Sequence, residues 1–235
     1  MADYPDELLE SFVALTQLMV NEESLVETLE RVAGIACRVV ASCESAGITL
    51  ERDGQPATPA FAGNSAPAID QAQYDSGRGP CLTAFQEHRV VLVPDIAKVS
   101  DRWPAFARVA AHHGIQSSLS LPLITKDDVL GALNLYASVL DAFDENVVEL
   151  GRLFGAQAAV AISNAEVFSQ TRQLTQNLQI ALETRDVIGQ AKGILMSERK
   201  LTGDEAFELL RRASQRTNVK VRDVADQVVL TGELP

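Results

Sequence analysis

The chain has 235 residues, which suits one large domain or two modest ones, and its 46% hydrophobic content can fill a buried core. The charged fraction of 22% is ordinary for a globular protein and argues against a fibrous or disordered class. The formal net charge is −12, which taken alone argues against a nucleic-acid partner.

The acidity is confined to the N-terminal part of the chain. Residues 1–165 carry 10 Lys/Arg against 22 Asp/Glu, whereas residues 166–235 carry 10 of each. A neutral segment with clustered bases can still attract phosphates locally. The overall charge therefore does not exclude nucleic acid as a partner of the C-terminal part.

The sequence contains no segment that predicts export or membrane insertion. Its start is acidic where a secretory signal is basic, and the longest apolar uncharged run, 153–165, falls short of the ~20 residues that a membrane span needs. Three cysteines form no disulfide framework. We therefore expect a cytoplasmic protein.

Helices open the chain and strands follow. Apolar residues at helical spacing predict helices at residues 5–20 and about 24–40. Strands are predicted at 46–50 and 58–62, with the turn signal Asp53-Gly54 between them, and a third strand is predicted at 68–74.

The next segments predict a mixed architecture. A break at 76–80 precedes a short helix at 81–87, an apolar strand of the fully buried kind at 90–94 and a helix near 103–112. Residues 116–124 and 129–137 predict a hairpin. This order, without strict strand–helix–strand repetition, predicts an α+β fold in which helices flank an antiparallel sheet.

A long helix is predicted from residue 144 to about 197, because no proline interrupts the helical pattern. Part of it falls near a seven-residue repeat, which favours a short dimeric coiled coil over a helix packed on its own domain. The repeat residues are Val167, Thr171, Leu174, Leu178, Ala181 and Ile188.

Two short helices complete the C-terminal part. Thr202 and Glu205 form a capping-box pattern at the start of the first, and the second carries several valines between 221 and 229. Three helices in about 50 residues lie near the lower size limit for independent folding. Dimerisation through the long helix would stabilise such a bundle.

Three motifs occupy the C-terminal part. They are Ala-Lys-Gly-Ile-Leu-Met at 191–196, Ala-Phe-x-x-Leu-Arg at 206–211 and Asp-Val-Ala at 223–225. With this spacing, residues 174–230 resemble the ANTAR family, whose members are response-regulator output domains implicated in binding nascent RNA and preventing transcription termination. The resemblance implies a three-helix module that binds RNA stem-loops.

Basic residues of this module are the candidate RNA contacts. Arg185 and Lys192 are seven residues apart, so they project within roughly 20° of each other on a helix. The residue pattern alone favours ordinary solvent-exposed charges on a helix. The resemblance to the ANTAR family favours phosphate contacts by these basic side chains instead. The module's one aromatic, Phe207, is predicted to be core, so aromatic stacking on bases is not expected. The predicted RNA-binding residues are Arg185, Lys192, Gly193, Met196, Arg211, Arg212 and Arg216.

The N-terminal part carries another set of motifs. They are Gly-Arg-Gly-Pro-Cys-Leu at 77–82, Val-Pro-Asp at 93–95, Ser-Leu-Pro-Leu at 120–123 and Gly-Ala-Leu-Asn-Leu at 131–135. Residues 9–165 thereby resemble a GAF domain, which implies a sheet with a covered cavity for a cyclic nucleotide, haem, bilin or other small molecule. The motifs select none of these, so the cofactor stays unknown.

Two features of this part bear on chemistry. Cys81 follows Gly-Pro at a predicted helix start, where it is either a reactive thiol or sensor-pocket residue, or a small buried side chain. His112 and His113 end a polar helix, which favours surface residues over metal or haem ligands. No cysteine–histidine cluster has metal-ligand spacing.

These observations predict a signal-responsive transcription antitermination regulator, not an enzyme. We expect a GAF-like sensor at 1–165, a coiled-coil linker helix at 166–184 and an ANTAR-like RNA-binding module at 174–235, assembled as a homodimer. Two alternatives stay open. One is a GAF-fold enzyme of the free methionine sulfoxide reductase type, which needs two neighbouring cysteines. The other is an adaptor whose C-terminal helices bind a protein.

Overall fold

The computed structural model describes residues 24–40, 42–52, 54–126 and 128–235. The helix predicted at residues 5–20 lies outside them. The chain divides into two compact units, Met1–Ser169 and Gln170–Pro235. In chain order the elements are α1 (Leu25–Val39), β1 (Ser45–Arg52), β2 (Gln55–Ala62), α2 (Ala66–Ser76), α3 (Pro80–Glu87), β3 (Val91–Val93), a 3₁₀ helix (Ile96–Val99), α4 (Pro104–His112), β4 (Ser117–Ile124), β5 (Val129–Ala137), α5 (Glu145–Arg199), α6 (Gly203–Thr217) and α7 (Val221–Thr231).

Helix α1 begins at a reciprocal cap. The Ser24 hydroxyl accepts a hydrogen bond from the Glu27 amide at 3.3 Å, and the Glu27 carboxylate accepts one from the Ser24 amide at 2.8 Å. Leu29, Val32 and Ala36 follow at helical spacing and are buried in the core. The helix predicted at 24–40 is confirmed.

The sheet of the N-terminal unit has five strands in the order β2-β1-β5-β4-β3, and every neighbouring pair is antiparallel. Leu133 and Leu135 of β5 belong to a core shared with α1 and the first turns of α5. Tyr136 belongs to a second core with α2, α3 and α4. Leu135 and Tyr136 are adjacent on β5, and adjacent side chains of a strand point to opposite faces of the sheet. The two cores therefore lie on opposite faces, and helices cover both. The predicted α+β fold is confirmed.

Residues 68–74 form part of helix α2 and not a strand, so that prediction was wrong. Ala66, Ile69, Asp70 and Gln73 are the buried residues of α2, and their spacing is helical. Two of these four inward positions are polar. The apolar pattern alone therefore did not reveal the helical period.

The strand predicted at 90–94 is shorter and less buried than expected. Strand β3 spans Val91–Val93, lies at the edge of the sheet and pairs with β4. Val91 and Val93 are buried, whereas Leu92 is 40% exposed. Helices cover only one face of this edge strand, so buried and exposed side chains alternate along it. A strand covered on both faces would bury all of its side chains.

The C-terminal unit is built from the end of α5 together with α6 and α7. Its core includes Ala191 and Leu195 of α5, Ala206 and Leu210 of α6, and Val224 of α7. The capping box at the start of α6 is present as predicted. Among the described residues, no helix is both long enough and apolar enough to cross a membrane.

Candidate functional site

One side of α5 and the first turns of α6 form an open groove of about 660 Å³ in the C-terminal unit. The α5 residues that line it recur every three or four positions, which places them on one side of a helix. The groove thus brings Arg185 and Lys192 onto one surface. Its lining residues are Ala181, Thr184, Arg185, Ile188, Gly189, Lys192, Asp204 and Phe207.

The two bases of the groove are available to a ligand. Arg185 is exposed and Lys192 half-buried, and neither has an ion-pair partner among the residues that the structure describes. The Lys192 ammonium lies 3.5 Å from where a Cβ on Gly203 would stand, beside the first turn of α6. Amides at a helix start lack intrahelical acceptors and carry partial positive charge. A phosphate oxygen placed there would be attracted to the Lys192 ammonium, whereas the Asp204 and Glu205 carboxylates of the same turn oppose an anion.

Phe207 lines the groove and is 39% exposed, so the prediction that it belongs to the core was wrong. Ala206 and Leu210 occupy the inward positions of α6 instead. Successive residues on a helix point about 100° apart, so the side chain next to a core residue need not be buried. The groove therefore offers an aromatic surface beside two positive charges.

The other predicted RNA-binding residues do not line this groove. Arg211 pairs with the Glu208 carboxylate at 3.0 Å, and Arg216 donates a hydrogen bond to the Pro235 carbonyl oxygen. Arg212 is exposed.

The remaining two predicted residues, Gly193 and Met196, lie near the groove on α5. Gly193 is exposed, and Met196 is 40% exposed with its sulfur 3.8 Å from the Cβ position of Gly203. The glycine in the groove wall is Gly189, one turn earlier, where an added Cβ would meet no atom within 4 Å.

The N-terminal unit contains a buried polar cluster centred on Asp70. This carboxylate accepts hydrogen bonds from the Tyr136 hydroxyl at 2.5 Å, the Thr58 hydroxyl at 3.0 Å and the Asn134 amide at 3.2 Å. Burial raises the pKa of Asp70 to about 6, although these hydrogen bonds lower it. Sequence reasoning missed this cluster, because its members lie on α2, β2 and β5.

Cys81 is fully buried in the first turn of α3. Its amide donates a hydrogen bond to the Gln73 side-chain oxygen at 2.9 Å. Burial raises the pKa of the Cys81 thiol well above its usual range, and the nearby Asp70 carboxylate raises it further. A protonated, buried thiol is a poor nucleophile. Of the two roles considered for Cys81, the geometry therefore favours the small buried side chain.

Family models match two consecutive parts of the chain. The GAF domain model matches residues 22–163, and the ANTAR domain model matches residues 176–229. Together these domains support a signal-sensing, RNA-binding regulator in general.

Known proteins are similar to parts of this chain. GAF domain-containing protein A of Dictyostelium discoideum is 32% identical over 69 residues, a match that spans 29% of this chain and 40% of that protein. The GAF domain of a phosphoenolpyruvate-protein phosphotransferase from Acinetobacter is similar in structure, with a TM-score of 0.53 and 17% identity over 71% of this chain and 97% of that one.

A free methionine-R-sulfoxide reductase from Neisseria meningitidis, solved with its substrate, is also similar in structure. Its TM-score is 0.53 at 19% identity, and the match covers 73% of this chain and 96% of that one. Identities this low show a shared fold and leave chemistry open. On the family models, the chain belongs to the GAF family and carries a GAF domain followed by an ANTAR domain.

Proposed function

We propose that this protein is a signal-responsive transcription antitermination regulator whose ANTAR domain binds RNA stem-loops. The observation that carries the proposal is the groove of the C-terminal unit, in which Arg185 and Lys192 lie on the same surface as the partly exposed ring of Phe207. The GAF domain then supplies the signal response, through a ligand or partner that the sequence does not select.

The chemistry of the groove suits a single-stranded loop better than a duplex. RNA loops present phosphates together with unstacked bases, and proteins bind them with Lys or Arg and an aromatic or guanidinium plane. Arg185 and Lys192 provide the charges and Phe207 the plane. The single carboxylate in the lining, Asp204, can accept a hydrogen bond from a base amino group, which a phosphate cannot offer.

The charge of the C-terminal unit permits this role. Residues 170–235 carry ten Lys/Arg and nine Asp/Glu, whereas the preceding 169 residues carry ten and 23. The C-terminal unit thus has a small positive net charge and does not share the acidity of the chain. Steering by net charge is weak here, so binding must come from local contacts in the groove.

Self-association through α5 is part of the proposal. Leu174 and Leu178 of the C-terminal unit are 60% and 58% exposed, and exposed Ala181 continues their spacing, so that Leu174 and Ala181 lie seven residues apart. Residues seven apart on a helix project within roughly 20° of each other. Such a stripe fits the seam of a two-stranded coiled coil with a second copy of this chain. A dimer would carry two grooves and bind paired stem-loops more tightly than one groove can.

Selection from a pool of short RNA hairpins with variable loops tests the proposal. The full chain is compared with Lys192→Ala, Arg185→Ala and Phe207→Ala, and with Arg211→Ala as the matched control. Arg211 also carries a positive charge but is paired with Glu208 and lies outside the groove. We expect the three groove variants to lose enrichment of the selected loop while the control keeps it.

The salt dependence of binding distinguishes phosphate contact from stacking. Loss of one phosphate contact in Lys192→Ala should reduce the slope of log affinity against log salt by about 0.7, the value per phosphate for single strands. Phe207→Ala should weaken binding without changing that slope. If native protein enriches no loop, or if Arg211→Ala loses binding as much as Lys192→Ala does, the groove is not the RNA site.

A further inference from the structure

The two half-buried cysteines of the N-terminal unit are in contact. Cys37 lies in the last turn of α1 and Cys43 just before β1, and their sulfur atoms are 2.9 Å apart. Disulfide sulfurs are bonded at ~2.05 Å, so a closure of about 0.9 Å would join them. They are six positions apart along the chain. Helical periodicity and strand pattern place each cysteine separately and give no signal that the two meet.

The two thiols have different acidities. A hydrogen bond from the Cys43 thiol lowers the pKa of Cys37, and this effect exceeds the opposing effect of burial. The same hydrogen bond, followed by burial, raises the pKa of Cys43. The Ser45 carbonyl oxygen, 3.4 Å from the Cys43 sulfur, is an alternative acceptor for the single hydrogen of that thiol. The thiolate is thus more easily formed on Cys37 than on Cys43.

We propose that Cys37 and Cys43 form a reversible dithiol–disulfide couple that is oxidised by hydroperoxides. Cys37 is the attacking cysteine because it is partly accessible and its neighbour can stabilise the thiolate. Cys43 is the resolving cysteine because it is already within contact distance. Cys81 takes no part, since its sulfur is fully buried in α3.

The chemistry balances in two steps. The Cys37 thiolate attacks one peroxide oxygen, the oxygen–oxygen bond breaks, and the departing alkoxide or hydroxide takes the proton that Cys37 lost. The sulfenic acid so formed is attacked by the Cys43 sulfur, and its hydroxyl leaves as water with the Cys43 proton. Two electrons pass from the sulfurs to the peroxide. A small dithiol reduces the Cys37–Cys43 disulfide back to two thiols by thiol–disulfide exchange and is itself oxidised to a disulfide.

The bond would tie two elements of the GAF core to each other. Helix α1 packs on the sheet through Leu29 and Val32, and the residue after Cys43 begins the pairing of β1, because the Glu44 amide donates to the Tyr136 carbonyl oxygen at 2.9 Å. Tyr136 also donates to Asp70 in the buried polar cluster. Only Glu44 and Tyr136 therefore lie between Cys43 and the Asp70 carboxylate along this path of covalent and hydrogen bonds.

Thiol trapping with intact-mass spectrometry tests this inference on the full chain. The protein is exposed to hydrogen peroxide or to a small alkyl hydroperoxide, denatured in an alkylating reagent and weighed with and without prior reduction. Wild type and Cys81→Ser are compared with Cys37→Ser and Cys43→Ser. Because the readout counts thiols, it does not depend on RNA binding and cannot fail for the same reason as the proposed function.

After oxidation, wild type and Cys81→Ser should each carry two fewer alkyl groups, and before alkylation each should be lighter by about 2 Da, since two hydrogens leave. A dithiol should restore both thiols. In Cys43→Ser the sulfenic acid on Cys37 should persist and form an adduct with a 1,3-diketone such as dimedone. Cys37→Ser should form neither product. The inference is overturned if wild type keeps all its thiols, if the only disulfide is between chains, or if Cys81→Ser abolishes the mass loss.

Discussion

Replacing Asp70 by Asn should make the stability of the GAF unit less sensitive to pH. Asp70 is fully buried and pairs with no Lys, Arg or His among the described residues. Asn keeps the size of the side chain and one acceptor oxygen for Tyr136 and Asn134. The substitution thus removes the titrating charge and retains most of the hydrogen bonds.

The expected size follows from the pKa of Asp70. Burial raises it to about 6 in the folded unit, against 3.8 for an ordinary aspartate. A group whose folded pKa is raised contributes stability that is present at low pH and lost as the pH rises through the folded pKa. The whole loss is about 3 kcal/mol, and roughly half of it falls between pH 5 and pH 8.

Trp103 provides the assay, because it is the single tryptophan of the chain and is 5% exposed in the core of the GAF unit. Its fluorescence in denaturant titrations gives the free energy of unfolding of that unit at each pH. Asp75→Asn is the matched control, since Asp75 is an exposed carboxylate on the same helix.

As the pH rises from 5 to 8, the free energy of unfolding of wild type should fall relative to that of Asp70→Asn by roughly half of the 3 kcal/mol. A pH-independent offset added to this change reflects altered hydrogen bonds and is compatible with the reasoning. The reasoning is refuted if the difference between wild type and Asp70→Asn does not change between pH 5 and pH 8, or if the difference between wild type and Asp75→Asn changes by the same amount.

Three further substitutions are informative. Gly131→Ala should destabilise the GAF unit by about 1–3 kcal/mol in the Trp103 assay, because the added Cβ would stand 1.8 Å from the Thr49 carbonyl oxygen. A variant as stable as wild type would contradict this packing. Gly189→Ala should stabilise helix α5 by about 1 kcal/mol, because alanine has the higher helix propensity. The same substitution should weaken RNA binding, because the added methyl group fills part of the groove, and an unchanged affinity would show that the RNA does not approach Gly189. Leu174→Glu should shift sedimentation toward the monomer, and an unchanged mass distribution would argue against the α5 seam.

Elements with strong local signals were predictable from the sequence. The capping pairs Ser24–Glu27 and Thr202–Glu205 fix helix starts through contacts three residues apart, so sequence alone shows them. The hairpin β4–β5 was equally clear, because its two apolar strands flank a short polar turn. For the groove, the spacing of Arg185 and Lys192 put both bases on one side of a single helix.

Features made by distant segments were not predictable in the same way. Phe207 lies between core residues along α6, and only the packing of that helix on α5 shows which side it faces. Asp70 is buried because Asn134 and Tyr136 of β5, more than 60 residues away, donate to it. Helix α2 was mistaken for a strand for the same reason, since its inward polar residues find partners only in the folded unit.

The edges of the sheet limit how copies of this protein can associate. Edge strand β2 contains Pro56 and Pro59, which have no amide hydrogen to donate to an added strand. The opposite edge, β3, is three residues long and is followed directly by Pro94. Both ends of the sheet are thus poor templates for intermolecular strand addition, the usual route from an exposed edge to fibrous aggregates. Lengthening β3, or replacing both β2 prolines, would remove that protection.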